Sequence, residues 1–548
     1  MKKLIKYIFT GLVIFSFAIN TFAQTASDSN AQADTQIELP DLTTVVTSED
    51  QEETAPAPDF ENVLDHIYNS GELVPELPQA SVGADGDVLS AGDSSVEKDI
   101  YASGQIGGGY PALFSGNFEV SRLFGADPFR IAFNHYSASG FASHNLADGF
   151  SSKNTWIELE KEFVRQNLDI KFSGRYEDIG NGLQSRAESV SANNQDSIEL
   201  SGIILWNFAG DFHLDFSVDS EFYYRFADIT YNSSESFVVQ DWIKNTSRVT
   251  AEPKLALSWV HNGFDISLDG FYSLEAWSKV SNRGQFDFNF AWSNESLKLY
   301  AGVGVAFGNN IGQNPVVVPF KVGLDAALPV YFSDRKLNLS LNGGIDSKRL
   351  TTSQLERKYK FSGMNQFTEE TSDWFGNFSI LVPLKTSFTG KAAVSYKTTA
   401  FRNGEWAPSY ADTSLTNGLY GFEQREHDEL CTDFSFTWKY KLFAATATYH
   451  ANWMDIPVLE NRHTVSVSFA LQSQKSRWGV NLDTAYLLDV NDNKPLINLE
   501  GYVQASDAVR IVLSVNDMLK LLGAEERSYA GQYAANGGNA MLLVKFLF

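Results

Sequence analysis

At 548 residues the chain has room for several soluble domains or one large barrel, and its net charge of −25 argues against nucleic acid, whose phosphates call for a basic face. A single cysteine, Cys431, excludes internal disulfides and any multi-thiolate metal site. Past the first residues no run reaches the roughly 20 apolar residues that a spanning helix needs, so a helical membrane protein is not implied.

The chain opens with a secretory signal over residues 1–23. Lys2, Lys3 and Lys6 give the positive start, an apolar stretch follows, and Thr21-Phe22-Ala23 fits a small-x-small cleavage site. No cysteine follows the cut, which disfavours a lipoprotein.

Residues 24–98 hold 17 Asp and Glu against one Lys and are rich in Ser, Ala and Pro. Such a segment buries too little apolar surface to offset its ordering entropy, so it is expected to be largely disordered. Two apolar islands interrupt it, one strand-prone around residues 37–47 and one helix-prone around residues 60–68. A strand-prone island can add to the edge of a partner's sheet.

From residue 99 onward, alternating segments recur with turn signals between them. Phe286, Phe288 and Phe290 alternate with Asp287 and Asn289; Phe212, Leu214 and Phe216 alternate with His213, Asp215 and Ser217. The connections alternate as well. Short turns are expected near residues 125–128, 165–167, 209–210, 262–263, 293–295, 333–335, 474–476 and 506–507. Longer polar loops are expected at 145–154, 181–195, 232–239, 350–372, 402–419 and 523–536. Short turns on one rim and long loops on the other define an outer-membrane barrel. The fold class is all-β: a transmembrane antiparallel β-barrel of about 22 strands, a number in the size class of plugged transporters.

The last strand is the clearest. Leu542, Val544, Phe546 and Phe548 share one apolar face, whereas Lys545 and Asn539 share the other. A charge within an apolar terminal strand needs a wet lumen to point into. These four apolar residues are expected to carry the C-terminal signal for the barrel-assembly machinery, with lipid of the outer membrane as the solvent of their face.

Over the last 55 or so residues the chain resembles TonB-dependent outer-membrane receptors. The resemblance rests on Val515-Asn516-Asp517-Met518-Leu519, then Tyr529, Tyr533, Gly537-Gly538, and the Phe546-Leu547-Phe548 ending. It implies solute uptake through a plugged barrel. The 75 residues between the cut and the barrel have the wrong composition for that family's globular plug, so a conventional plug is expected to be missing. The family also docks a periplasmic energy transducer, TonB, by strand addition. Leu42, Thr43, Thr44, Val45, Val46 and Thr47 resemble such a docking segment.

No catalytic, cofactor or metal residues are assigned. His427-Asp428-Glu429 lacks the His-Glu-x-x-His spacing of a metalloprotease helix. Asp489 to Asn493 with Glu500 has calcium-loop spacing, but Lys494 stands where the turn needs glycine and Pro495 follows. Gly302-Val303-Gly304 falls inside a strand and reads as lumen-facing rather than as a nucleotide fingerprint. Glu158, Glu160 and Glu162 read as one wet face. Arg175, Asp215, Asp219, Asp287, Lys298 and Arg510 are candidate lumen residues by parity. The expected function is solute transport or uptake, with the acidic segment as a candidate to fill the pore. The rival is a non-transporting barrel that anchors surface loops or a periplasmic partner. No nucleophile–His–acid set supports an enzyme.

Overall fold

The computed structural model describes residues 100–548, apart from 123–126, 142–143, 188, 209, 230–240, 311–315, 333–334, 386, 411–417, 474, 489–493, 525–526 and 548. The expected signal, the acidic segment with Leu42 to Thr47, the calcium-like loop residues and Phe548 therefore lie outside the described residues.

Alternation over this region builds 22 long strands. The first eight are β1 (Tyr101–Tyr110), β2 (Leu113–Arg122), β3 (Phe129–Ala138), β4 (Ser152–Arg165), β5 (Leu168–Gly182), β6 (Val190–Phe208), β7 (Phe212–Ile229) and β8 (Asn245–His261). Then come β9 (Phe264–Ala276), β10 (Val280–Ser293), β11 (Leu297–Gly308), β12 (Phe320–Phe332), β13 (Arg335–Lys348), β14 (Thr371–Lys385) and β15 (Phe388–Thr399). The chain finishes with β16 (Asp428–Tyr440), β17 (Phe443–Asn452), β18 (His463–Gln472), β19 (Trp478–Leu487), β20 (Leu496–Ser506), β21 (Val509–Asn516) and β22 (Asn539–Leu547).

Each strand pairs antiparallel with the next, and β1 pairs with β22 in the register Gln105↔Lys545 and Gly109↔Met541. The sheet closes on itself and leaves no edge for aggregation. At this seam Gly109 has no alternative: a Cβ there would strike the Ala540 carbonyl oxygen.

The alternation is inside out relative to a soluble protein. Phe286 and Phe288 of β10 are 58% and 48% exposed on the outer surface, while Asp287 and Asn289 line an interior chamber. Phe114, Phe118, Leu268, Val303, Leu341, Phe434 and Leu542 continue the apolar exterior around the barrel. Soluble monomers rarely expose contiguous apolar patches beyond a few hundred Å². The belt is a lipid-facing surface, and the barrel is of the outer-membrane type.

All ten connections on the rim where β22 ends are short, from 166–167 to 123–128. Long connections gather on the opposite rim, the largest being 349–370, 400–427 and 517–538. Two tight turns on the long-loop rim, 111–112 and 277–279, break the expected strict division. Turns at 386–387 and 441–442 carry no Gly or Pro signal in the sequence. Strands also run further than their sequence bounds: β5 and β6 leave only 183–189 between them, because their tops keep pairing beside folded-in loops.

The protein's apolar core sits under the loop rim. One cluster joins Leu183, Val190, Ile243, Phe361, Leu419, Tyr420 and Tyr533. Another joins inward-facing Leu543, Met541 and Val512 to Leu113, Ala138, Phe141 and Phe150. The inner face of β22 is therefore apolar near the loops and charged only at Lys545, further down.

Candidate functional site

The connection 349–370 does not stand above the barrel; it enters it. Thr351 caps a helix over Thr352–Lys358, its hydroxyl accepting from the Gln354 amide while the Gln354 side chain accepts from the Thr351 amide. Arg349 anchors the approach by donating to Ser273 Oγ at 3.0 Å and to Ser281 Oγ. Burial lowers the Arg349 pKa, although Glu275 and Glu370 pull the other way. Leu355 and Glu356 are buried against the inner wall.

Glu356 is the main fixing point. Its Oε2 accepts from Arg225 Nε at 2.8 Å and from the Tyr223 hydroxyl at 2.6 Å, both on β7. Its Oε1 accepts from the Met364 amide at 2.7 Å, so the loop's return limb hangs on the same carboxylate. An ion buried this deeply is tolerable only when its lone pairs are occupied, as here.

Arg357 reaches three carboxylates on three strands: Glu221 at 2.6 Å, Glu199 at 2.8 Å and Glu177 at 3.9 Å. Burial opposes its charge, but these three acids outweigh burial and raise its pKa. Two further arginines complete the belt. Arg248 pairs with Glu275 at 3.3 Å and donates to the Met364 and Gln366 carbonyls. Arg283 pairs with Glu370 at 2.6 Å, and the Ser347 hydroxyl donates to the same carboxylate.

Neighbouring loops lock onto this one. Phe361 stacks on Tyr533 at 3.9 Å between ring centres. The Tyr533 hydroxyl donates to the Gly418 carbonyl, and Gln184 exchanges two hydrogen bonds with the Ala534 backbone. Burial pushes the Tyr533 phenol pKa up, so it stays a neutral donor. Trp406 Nε1 donates to the Glu369 carbonyl at 3.2 Å. Connections 183–189, 349–370, 400–427 and 517–538 thus form one packed assembly across the mouth.

Below it lies a chamber of about 630 Å³ whose lining mixes charges, among them Asp269, Asp287, Lys321, Asp346 and Lys397. The parity expectations hold here. By register, Arg175, Asp215, Asp219, Asp287, Lys298 and Arg510 all face inward. Glu158 and Glu160 find their counter-ions on the adjacent strands: Arg130 at 3.5 and 3.6 Å, and Lys171 at 2.9 Å from Glu160. Glu162 shares that face, opposite Lys171. Gly302 and Gly304 line the chamber, and Glu500 faces inward between Asn481 and Ser514. Leu542 points outward, with Val544 and Phe546 on its face. No local sequence signal marks the arginine–glutamate belt beyond the Thr-x-x-Gln capping box inside a polar loop.

These features define a class: a closed 22-stranded outer-membrane barrel with loops folded into its mouth. No protein-family model matches the chain, and no curated protein matches it. Among solved structures it is similar to the FrpB iron transporter of Neisseria meningitidis in its apoprotein form, with a TM-score of 0.60 at 8% identity over 83% of this chain and 82% of that one. It is similar to the siderophore receptor PirA of Acinetobacter baumannii, with a TM-score of 0.60 at 9% identity over 83% and 81%. The copper transporter OprC matches with a TM-score of 0.60 at 10% identity over 82% and 80%. The fold is thus that of the TonB-dependent receptor barrel.

Proposed function

We propose that the protein is an outer-membrane transport barrel that admits a solute through its lumen, with connection 349–370 as the outer gate. The observation that carries this reading is the fully shielded Arg225–Glu356 pair, which holds a loop helix against the inner wall above a charged chamber. A barrel that served only as an anchor would have no use for a polar lumen beneath a folded-in loop. The similar structures, whose names describe iron, siderophore and copper transporters or receptors rather than enzymes, support the same reading.

Two expectations stay with this proposal. Residues 42–47 would engage a TonB-like periplasmic transducer by strand addition, and the terminal Leu542, Val544, Phe546 and Phe548 face would recruit the assembly machinery. The test is conductance in planar bilayers. Replacing residues 352–366 with a short Gly-Ser link should convert a quiet protein into an open pore, with or without residues 24–98. Unchanged conductance in the variant lacking both segments would reject a transport lumen.

A further inference from the structure

Where the hairpin of connection 400–427 meets the chamber, a second cluster gathers, and Asp373 and Glu429 line the chamber itself. Glu405 lies on the short strand Glu405–Pro408 of connection 400–427, which pairs with Phe422–Arg425 as a hairpin. His427 follows that hairpin, and Glu429 begins the inward face of β16. One ligand atom from each of the three lies within 4.8 Å of the others. Asp373, on the inner face of β14, joins them: its Oδ1 is 3.2 Å from His427 Nε2.

Two features separate this cluster from an ordinary patch of acids. First, His427 Nε2 and Asp373 Oδ1 are almost fully buried, with side chains 3% and 4% exposed, yet neither makes a hydrogen bond of acceptable angle. Their mutual contact is poorly angled, and buried polar atoms without a well-formed hydrogen bond are costly, so an ion bound by both would relieve that cost. Their separation fits one: with metal–ligand bonds near 2.1 Å, adjacent ligands sit roughly 3.0–3.4 Å apart. Secondly, the other ring nitrogen is already oriented. His427 Nδ1 is 3.2 Å from Thr399 Oγ1, which also accepts the His427 amide at 2.8 Å. That is the outer support a metal-binding imidazole uses to fix its tautomer.

We propose that Asp373, Glu405, His427 and Glu429 bind a divalent first-row transition-metal ion that pins the 400–427 hairpin to the barrel wall. One imidazole with carboxylates suits Zn²⁺, Fe²⁺ or Mn²⁺, whereas Ca²⁺ takes oxygen donors alone. Lys397 already pairs with two of these carboxylates, and the ion would sit beside it. Its ammonium sits 3.2 Å from the far oxygen of Asp373, Oδ2, and 3.9 Å from Glu405 Oε2, leaving Oδ1 facing the histidine. Lys358, at 3.8 Å from Glu405 Oε1, is half-exposed and lies over the Tyr359 ring. The ion would couple the hairpin to the gate, because Trp406 next to Glu405 donates to the Glu369 carbonyl of connection 349–370.

The full chain, purified in detergent and stripped with EDTA, is titrated with Zn²⁺ by calorimetry, with Ca²⁺ as the comparison ion. One Zn²⁺ should bind per chain, with affinity at least tenfold lower in His427→Ala and in Glu405→Gln, and Zn²⁺ should slow tryptic cleavage within residues 400–427. Glu405→Gln alters a ligand that is only partly buried, so it keeps the test open should His427→Ala not fold; heat-modifiable gel mobility reports the folded barrel. Absence of Zn²⁺ binding, equal affinity in a folded variant, or Ca²⁺ binding as tight as Zn²⁺ would overturn the site. Zn²⁺ binding without protection of the loop would overturn the clamp. All of these readouts are independent of whether the barrel conducts.

Discussion

Glu356 and Arg225 meet at 2.8 Å with both side chains fully removed from solvent, although 131 residues separate them in the chain. Neither could be held there alone. Removing one partner of such a pair leaves a bare buried charge and costs about 3–5 kcal/mol, or roughly 10²- to 10⁴-fold in the closed-to-open ratio of the gate. Glu356→Ala and Arg225→Ala should each raise single-channel conductance or the frequency of openings. The double variant should cost far less than the sum of the two, because it leaves no orphan charge. Additive effects in single-channel records would show that the pair does not hold the gate.

Arg357 predicts selectivity rather than opening. It pairs with Glu177, Glu199 and Glu221, which converge from β5, β6 and β7. In Arg357→Met, Glu199 and Glu221 face the lumen without this partner, and Glu177 keeps only Arg175 at 2.9 Å. The reversal potential under a KCl gradient should shift toward cations, most at low salt, where screening is weakest. A shift toward anions would contradict the inward placement of these acids.

The barrel was legible in the sequence because period-2 alternation is a local signal: Phe288 and Asn289 declare opposite faces without reference to any other strand. The rim assignment followed because most short turns carry Gly, Asn, Asp or Pro; 386–387, 441–442 and 473–477 do not. The gate was not legible. Glu356 reads as one more acid in a polar loop, and only closure of the sheet brings it to Arg225 and Tyr223. The same holds for Asp373, Glu405, His427 and Glu429, which come from three segments and match no fixed spacing. His427, Asp428 and Glu429 are contiguous, but alternation sends Asp428 away from Glu429, and it is Asp373 that lies beside His427.

Opposite faces of β10 should respond differently to charge. Phe288 lies mid-strand on the lipid-facing side, whereas Asn289 lines the chamber. An arginine on the lipid face near mid-membrane costs about 2–4 kcal/mol. Phe288→Arg should therefore lower the unfolding free energy of the refolded barrel by that much, and Asn289→Arg should change it little while altering conductance. Equal losses would mean that the face assignment is wrong.

Closure depends on the β1–β22 seam. Gly109 faces Met541 across it, and a Cβ would collide with the Ala540 carbonyl. Gly109→Val should slow assembly and leave a larger heat-unmodified fraction on gels, since the first and last strands cannot reach pairing distance. The same change at Gly376, where a Cβ meets nothing within 4 Å, serves as the control and should assemble normally.

The loop assembly should open as one unit. Phe361 and Tyr533 stack at 3.9 Å with their planes 7° apart, joining connection 349–370 to 517–538. The Tyr420 amide donates to the Phe361 carbonyl at 2.8 Å, which brings in connection 400–427. Stacked aromatic pairs contribute about 0.5–1.5 kcal/mol beyond area burial. Phe361→Ala and Tyr533→Ala should each speed hydrogen exchange at the Tyr420 amide, and the two effects should be coupled by an energy in that range. Tyr533→Phe separates the ring from its hydroxyl bond to the Gly418 carbonyl: it should keep the stacking and lose only that bond. If exchange at Tyr420 ignored Tyr533 altogether, the loops would open independently, and a gate on connection 349–370 could move without its neighbours.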